Sequence, residues 1–206
     1  MPPAGWGVGH DVPARIAAIV LAAGASRRMG RNKMLLPLDG ESLVRRAAGR
    51  AIGARLSPTI VVLGHEPEKV RAELTGLSCE FVTNPDYTGP TSTSLHRGLG
   101  ALPADADAAV VILADMVMVT VAMLTAIVMA ARANPAPLVV SRYGDVLAPP
   151  LLFRRLLFPE LLAWRDEGCG KQVVLRHRAE AIFLDWPPAA LLDIDTSEDF
   201  AALTRS

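Results

Sequence analysis

Residues 108 to 131, AAVVILADMVMVTVAMLTAIVMAA, are apolar throughout except for Asp115, Thr120 and Thr125. A run of about 20 apolar residues is long enough to cross a bilayer as a helix. A single aspartate at mid-membrane costs about 2.5 to 3.5 kcal/mol on insertion scales, so such a span would be unusual. The order of residues within the run points elsewhere. Val110, Val111 and Ile112 cluster as β-branched residues do in a buried strand, and Thr120 is a good N-cap for the helical stretch VAMLTAIVMAAR. No second apolar run or flanking basic cluster accompanies it. The run therefore divides into strand, Asp-bearing turn and helix, and no membrane association is expected. Asp115 falls at the carboxyl end of the strand, the edge where open α/β sheets bind ligands.

The same cadence recurs along the chain. RIAAIVLAAG reads as a buried strand ended by Gly24, TIVVLG as a second, and CEFVTN as a third. Between them, ESLVRRAAGRAIGARL places Leu43, Ala47, Ala51 and Ala54 at helical spacing, and PEKVRAEL is a short helix opened by Pro67. TSTSLHRGLGAL sets Leu95, Leu99 and Leu102 on one helical face, with Thr91 or Ser92 expected as N-cap. APLVVSRYG and EAIFLDW read as further strands, separated by one or two short helices, and TSEDFAAL closes the chain as a helix capped by Thr196 or Ser197. Alternating strands and helices predict an α/β fold of three layers, αβα, around a mostly parallel sheet. Residues 15–206 are expected to form one domain, preceded by a loose arm over residues 1–14 rich in Gly and Pro.

Charge and cysteine usage narrow the function. Lys plus Arg equals Asp plus Glu at 21 each, which gives no footprint for nucleic acid. Cys79 and Cys169 are far apart and in no ligand-like spacing, which fits a reducing compartment. The start MPPAGWGVGHDVPAR lacks an apolar segment behind basic residues, so a cytoplasmic location is expected.

The first strand runs into LAAGASRRMGRNK, where Gly24 and Gly30 flank a polar turn carrying Arg28, with Lys33 just beyond. Glycines let backbone N–H groups approach a ligand, and a nest of amides with cations attracts phosphate. The loop matches neither GxGxxG nor GxxxxGK[ST], so on residue types alone an ordinary strand-to-helix connection with solvated arginines stays open. Asp193 and Asp195 in DIDT alternate along one face, so either can supply a second carboxylate to a site shared with Asp115. Cys169 between two glycines has no histidine partner and is read as incidental, and His65, His96 and His177 lack metal-ligand spacing.

LAAGASRRMGRNKMLLPLDGESLV resembles the signature loop of Rossmann-like nucleotidyltransferases. It is most similar to the molybdenum cofactor cytidylyltransferases, which write LAAG where the related guanylyltransferases write LAGG. TNPDYTGPTSTSLHRGL, VVILADM and LLDIDTSEDF match the family in the same order, covering about residues 16 to 203. The resemblance implies Mg²⁺-dependent transfer of CMP from CTP to molybdopterin, with pyrophosphate released and a client molybdoenzyme as a further partner. Carried over by motif, Arg28, Lys33 and Asp115 are the catalytic residues. Leu21, Ala22, Ala23, Gly24, Gly64, Gly89 and Ser94 join them in binding the nucleotide. Asp115 and, by the motif match, Asp195 hold the Mg²⁺. The Ala23 methyl is expected to narrow the space beside the base and so favour CTP over GTP.

Two departures qualify the match. Val117 stands where the family writes proline after Asp–Met, which predicts a looser turn, and the family's GDxG tract appears only as RDEGCGKQVV. Transfer to another phosphorylated acceptor, such as a sugar or polyol phosphate, is the alternative enzyme, although 206 residues leave no room for the β-helix common in sugar-nucleotide enzymes. A cofactor-carrying chaperone with little turnover is the alternative outside catalysis, and Arg28, Lys33, Asp115 and Asp195 weigh against it.

Overall fold

A computed structural model describes residues 13–194 and 196–203. The chain opens with β1 (Ile16–Ala22), followed by single 3-10 turns at Arg27–Met29 and Lys33–Leu35 and a two-stranded hairpin of β2 (Pro37–Leu38) and β3 (Glu41–Ser42). Next come α1 (Leu43–Gly53), β4 (Thr59–Leu63), α2 (Pro67–Glu73), β5 (Glu80–Thr83), α3 (Thr91–Gly100), β6 (Ala108–Leu113) and α4 (Val121–Ala133). The second half contains β7 (Leu138–Tyr143), β8 (Val146–Arg154), α5 (Phe158–Ala163), α6 (Cys169–Arg176), β9 (Ile182–Trp186) and α7 (Ser197–Leu203).

Seven strands form one sheet in the order β5-β4-β1-β6-β8-β7-β9. β1 lies between β4 and β6 and pairs in parallel with both. Helices cover the sheet on each side, which explains why β1, β4 and β6 are apolar runs without alternation. Along β1, Ala18, Val20 and Ala22 face the core made with α1, α2 and α4, whereas Ile19 and Ala23 face the one made with α3, α5 and α6. Gly98 brings α3 close to that second face, since a methyl group there would stand 2.4 Å from Ile19 Cγ2.

The apolar run 108–131 resolves as expected into β6, a turn and α4, with the Thr120 hydroxyl accepting a bond from Met123 N–H at 3.2 Å. No helix among the described residues is long and apolar enough to cross a membrane. The cap of α3 differs from expectation. Its N-cap is Pro90, and Thr91 is already the first helical residue. The expected loose arm falls largely on residues 1–12, outside the described residues.

The main departure is β8. RYGDVLAPPLLF runs on from the strand APLVVSRYG into a stretch where only short helices are expected, and its prolines are poor strand residues. In the structure it is a nine-residue strand, antiparallel to both β6 and β7. Its pairing with β6 spans only Leu151 to Arg154, so Pro149 and Pro150 sit where no β6 carbonyl asks for an amide hydrogen. On the β7 side the register shifts between Val140 and Arg142. There Ser141 Oγ donates to Pro150 O at 2.7 Å and Tyr143 Oη donates to Pro149 O at 2.9 Å.

Candidate functional site

Because β1 and β6 are neighbours, the loops leaving their carboxyl ends open side by side. Between them lies a cleft of about 220 Å³, lined by Leu21, Ala23, Gly24, Lys33, Gly89, Ser94 and Asp115 together with Met34, Tyr87, Thr91 and Leu113. Its polar centre is Lys33, whose Nζ donates to Asp115 Oδ2 at 2.5 Å and to the Ile194 carbonyl at 3.0 Å. Both side chains are largely shielded, at 13% and 17% exposure, so the pair is screened less than a surface one.

Local chemistry turns Lys33 inward. Ser26 and Gly30 both adopt positive φ, at 51° and 65°, and reverse the chain at either end of the first 3-10 turn. Ser26 Oγ then accepts from Lys33 N–H at 3.1 Å. Asn32, buried, caps the next turn by accepting from Met34 N–H at 3.1 Å and ties the loop to the segment just after β4 by donating to the His65 carbonyl at 3.0 Å.

The Asp115 turn is braced from several sides. Arg50 of α1 donates to the Val117 carbonyl at 2.7 Å, and the Val117 side chain is buried with Met29, Leu36, Leu43 and Ile194. Arg50 and this apolar cluster hold Val117 where the family's proline would stiffen the turn. Met116 pairs in antiparallel fashion with Asp193, which brings the C-terminal segment beside Asp115. Thr196 and Asp199 cap α7 reciprocally: Asp199 N–H donates to Thr196 Oγ1 at 3.2 Å and Thr196 N–H to Asp199 Oδ2 at 2.7 Å. Asp195, the expected second metal ligand, lies outside the described residues.

The remaining expected residues take other places. Ala22 is buried in the core on the opposite face of β1, and Arg28 is exposed on the first 3-10 turn, outside the cleft lining. Gly64 is buried behind the cleft, where an added methyl would stand 2.4 Å from Ala23 O and 2.7 Å from Ala23 Cβ. The Ala23 methyl thus packs towards Gly64, while Ala23 also lines the cleft. Several residues had drawn no ligand-binding role from the sequence: Tyr87 and Thr91 on the wall, and behind it Asn84, wholly buried and bonded to Ser94 Oγ at 2.9 Å. The signal for Asn84 was its place directly after a strand and before a proline turn, where side-chain amides commonly bond local backbone.

A second cavity of about 270 Å³ adjoins the first, sharing Leu21, Thr91 and Leu113. Its walls are mostly apolar, from Leu95, Val111, Leu147, Pro149, Phe153 and Val174, with Glu167 and Lys171 at polar positions. Cys169 lines it too, but burial pushes the thiol pKa up to about 11, which suits a packing residue and not a nucleophile. A cation and a carboxylate beside a glycine loop suit a phosphorylated ligand, and the apolar chamber leaves room beside it.

A family model described as MobA-like NTP transferase domain matches residues 18–181. The purine catabolism protein PucB of Bacillus subtilis is 30% identical over 210 residues, covering 93% of this chain and 97% of that protein. A probable molybdenum cofactor guanylyltransferase of Synechococcus elongatus is 36% identical over 91 residues, and the match spans only 45% of that relative. Among solved structures, Rv0371c from Mycobacterium tuberculosis superposes with a TM-score of 0.83 at 28% identity, covering 93% of this chain and 98% of the other. Rv0371c has also been solved in complex with manganese.

Proposed function

Since this chain belongs to the MobA-like NTP transferase family, we propose that it transfers CMP from CTP to the terminal phosphate of molybdopterin and releases pyrophosphate. The observation that carries the reading is the meeting of Lys33, Asp115 and the Ile194 carbonyl at one point of the cleft, bringing the glycine loop, the β6 turn and the C-terminal segment together. An oxygen of the acceptor phosphate attacks the α-phosphorus, the new P–O bond forms, and the bond to the bridging oxygen of the β-phosphate breaks. That phosphate is already ionised at neutral pH, so no general base is required. The chain's part is to align the two phosphates and to neutralise the charge gathering on the α-phosphoryl oxygens. Lys33 reaches into the cleft for that purpose, and Arg28 on the neighbouring turn would meet the outer phosphates.

A divalent cation fits the same place. The Asp115 carboxylate and the Ile194 carbonyl already converge on a positive charge, the Lys33 ammonium, and hard cations take oxygen donors of these kinds. Asp115 with Asp195 would hold Mg²⁺, which when bound offsets phosphate charge. The manganese complex of Rv0371c supports a divalent ion in this family. The adjoining apolar chamber suits the flat ring system of molybdopterin, with a client molybdoenzyme taking the product.

The test is incubation with each nucleoside triphosphate, Mg²⁺ and molybdopterin, scored by pyrophosphate release and by mass of the product. Release with CTP that depends on molybdopterin supports the reading. Release only with a sugar or polyol phosphate, or no turnover with any donor, overturns it.

A further inference from the structure

Asn84 follows β5 directly and is 0% exposed. Its backbone N–H donates to the Leu63 carbonyl at 2.7 Å, fixing it against β4, and its Oδ1 accepts from Asp86 N–H at 3.0 Å. A backbone N–H can only donate, so this bond settles which end of the side-chain amide is oxygen. The NH₂ end consequently faces α3, where it donates to Thr93 Oγ1 and to Ser94 Oγ, both at 2.9 Å. Thr93 passes its own hydroxyl hydrogen to the Pro90 carbonyl at 2.8 Å. Ser94 Oγ, which lines the nucleotide cleft, accepts from Asn84 and among the described residues gives its hydrogen to no protein oxygen. The hydroxyl hydrogen is turned away from the Asn84 amide, and the cleft is open to it.

We infer that Asn84 is a positioning residue that makes Ser94 a hydrogen-bond donor to the nucleotide base, favouring an edge with acceptors, as in cytosine, over one presenting N–H groups. A serine hydroxyl by itself can donate or accept, so it discriminates poorly. With one lone pair taken by Asn84, accepting a second bond from the ligand would leave the hydroxyl hydrogen without an acceptor, whereas donating leaves only a lone pair unused, so donation is favoured. A donor facing an N–H of the ligand would leave two buried donors opposed and unpaired, and polar mismatch of this kind is what gives strong discrimination. The inference rests on the reading of the cleft as a nucleotide site.

The test is equilibrium binding of CTP with Mg²⁺ to the full chain, which needs no acceptor. Ser94→Ala is expected to weaken CTP binding about fivefold to tenfold, the loss of one neutral hydrogen bond. Asn84→Asp turns the buried group into an acceptor for the Ser94 hydroxyl, swinging its lone pairs towards the base, and is expected to weaken CTP at least as much. In the Ser94→Ala background that added penalty should vanish. Thr93→Val removes the other partner of Asn84 and is expected to lower the melting temperature while leaving CTP affinity within about twofold. Unchanged binding in Ser94→Ala, or an Asn84→Asp penalty that persists in the double variant, overturns the inference. If Asn84→Asp does not fold, equal effects of Ser94→Ala and Thr93→Val on CTP affinity overturn it. Absence of nucleotide binding by the unaltered chain would overturn the nucleotidyltransferase reading as well, whereas tight binding indifferent to Ser94 overturns this inference alone.

Discussion

Gly64→Ala tests the architecture behind the cleft. The new methyl would stand 2.4 Å from the Ala23 carbonyl oxygen, 2.5 Å from Tyr87 Cβ and 2.7 Å from Ala23 Cβ, all far inside contact distance. None of these is the end of a flexible side chain, so relief requires backbone movement. Such overpacking typically costs about 1 to 3 kcal/mol. The Ala23 carbonyl is also held by His65 N–H at 3.1 Å, and displacing it weakens that bond. That adds about 1 kcal/mol, for a total near 2 to 4 kcal/mol. In a domain of this size each kcal/mol moves the melting temperature by about 2 to 4 °C, so a fall of roughly 5 to 15 °C is expected. Since Ala23 and Tyr87 both line the cleft, CTP affinity should fall as well. Thermal unfolding followed by far-ultraviolet circular dichroism, with CTP binding on the folded fraction, measures both. Gly49→Ala is the control: its methyl meets nothing within 4 Å and replaces a helix-interior glycine, so a gain of up to about 1 kcal/mol is expected. If Gly64→Ala melts within about 1 °C of the unaltered chain, the steric reasoning fails.

Lys33→Ala is expected to cut kcat far more than it raises the KM for CTP, because a charge beside the α-phosphate matters most as the transition state forms; a change confined to KM would contradict that role. Asp115→Asn should leave the fold intact yet remove most turnover, and near-normal activity in the folded variant would discard Asp115 as the cation-binding group. Ala23→Gly alone should alter the CTP-to-GTP ratio by less than about tenfold, since the methyl packs towards Gly64; a change of roughly 10 to 200 would restore a direct steric role. For His177, burial lowers the pKa, but hydrogen bonds to Glu160 and Glu180 outweigh it and raise the folded value above 6.5. A raised folded pKa adds stability that is full below the unfolded pKa and fades as pH rises through the folded one, so the melting penalty of His177→Gln should be larger near pH 5.5 than near pH 8.5. An equal penalty at both ends would refute the linkage.

What could be read from residues alone follows a physical divide. The central strands announced themselves because a parallel strand buried on both faces must be largely apolar, and β1, β6 and all of β4 beyond Thr59 are. Gly24, Lys33, Gly89, Ser94 and Asp115 were legible as site residues through their motifs, and all of them line the cleft. β8 was not legible, because its prolines are tolerated only by a pairing pattern that depends on where β6 stops and β7 slips register. Gly64 was hard to place for a related reason: a motif gives proximity in sequence to a ligand loop, whereas the side on which a residue lies is decided by the strand beside it.

The supports of the site were the least visible part. Asn32, Arg50 and Asn84 act through bonds to backbone carbonyls or hydroxyls on other elements, and Arg50 reaches Val117 across 67 residues. Nothing in the identity of Val117 marks it as an acceptor, since every residue carries the same carbonyl. The same holds at the centre. Lys33 and Asp115 are recognisable side chains, but the third group holding the ammonium is the peptide oxygen of Ile194, 161 residues further on. Ile194 is conspicuous in sequence only as one more apolar residue between two aspartates. Its burial among Met29, Leu36, Leu43 and Val117 places its carbonyl over Lys33, so an apolar contact sets the position of the charge.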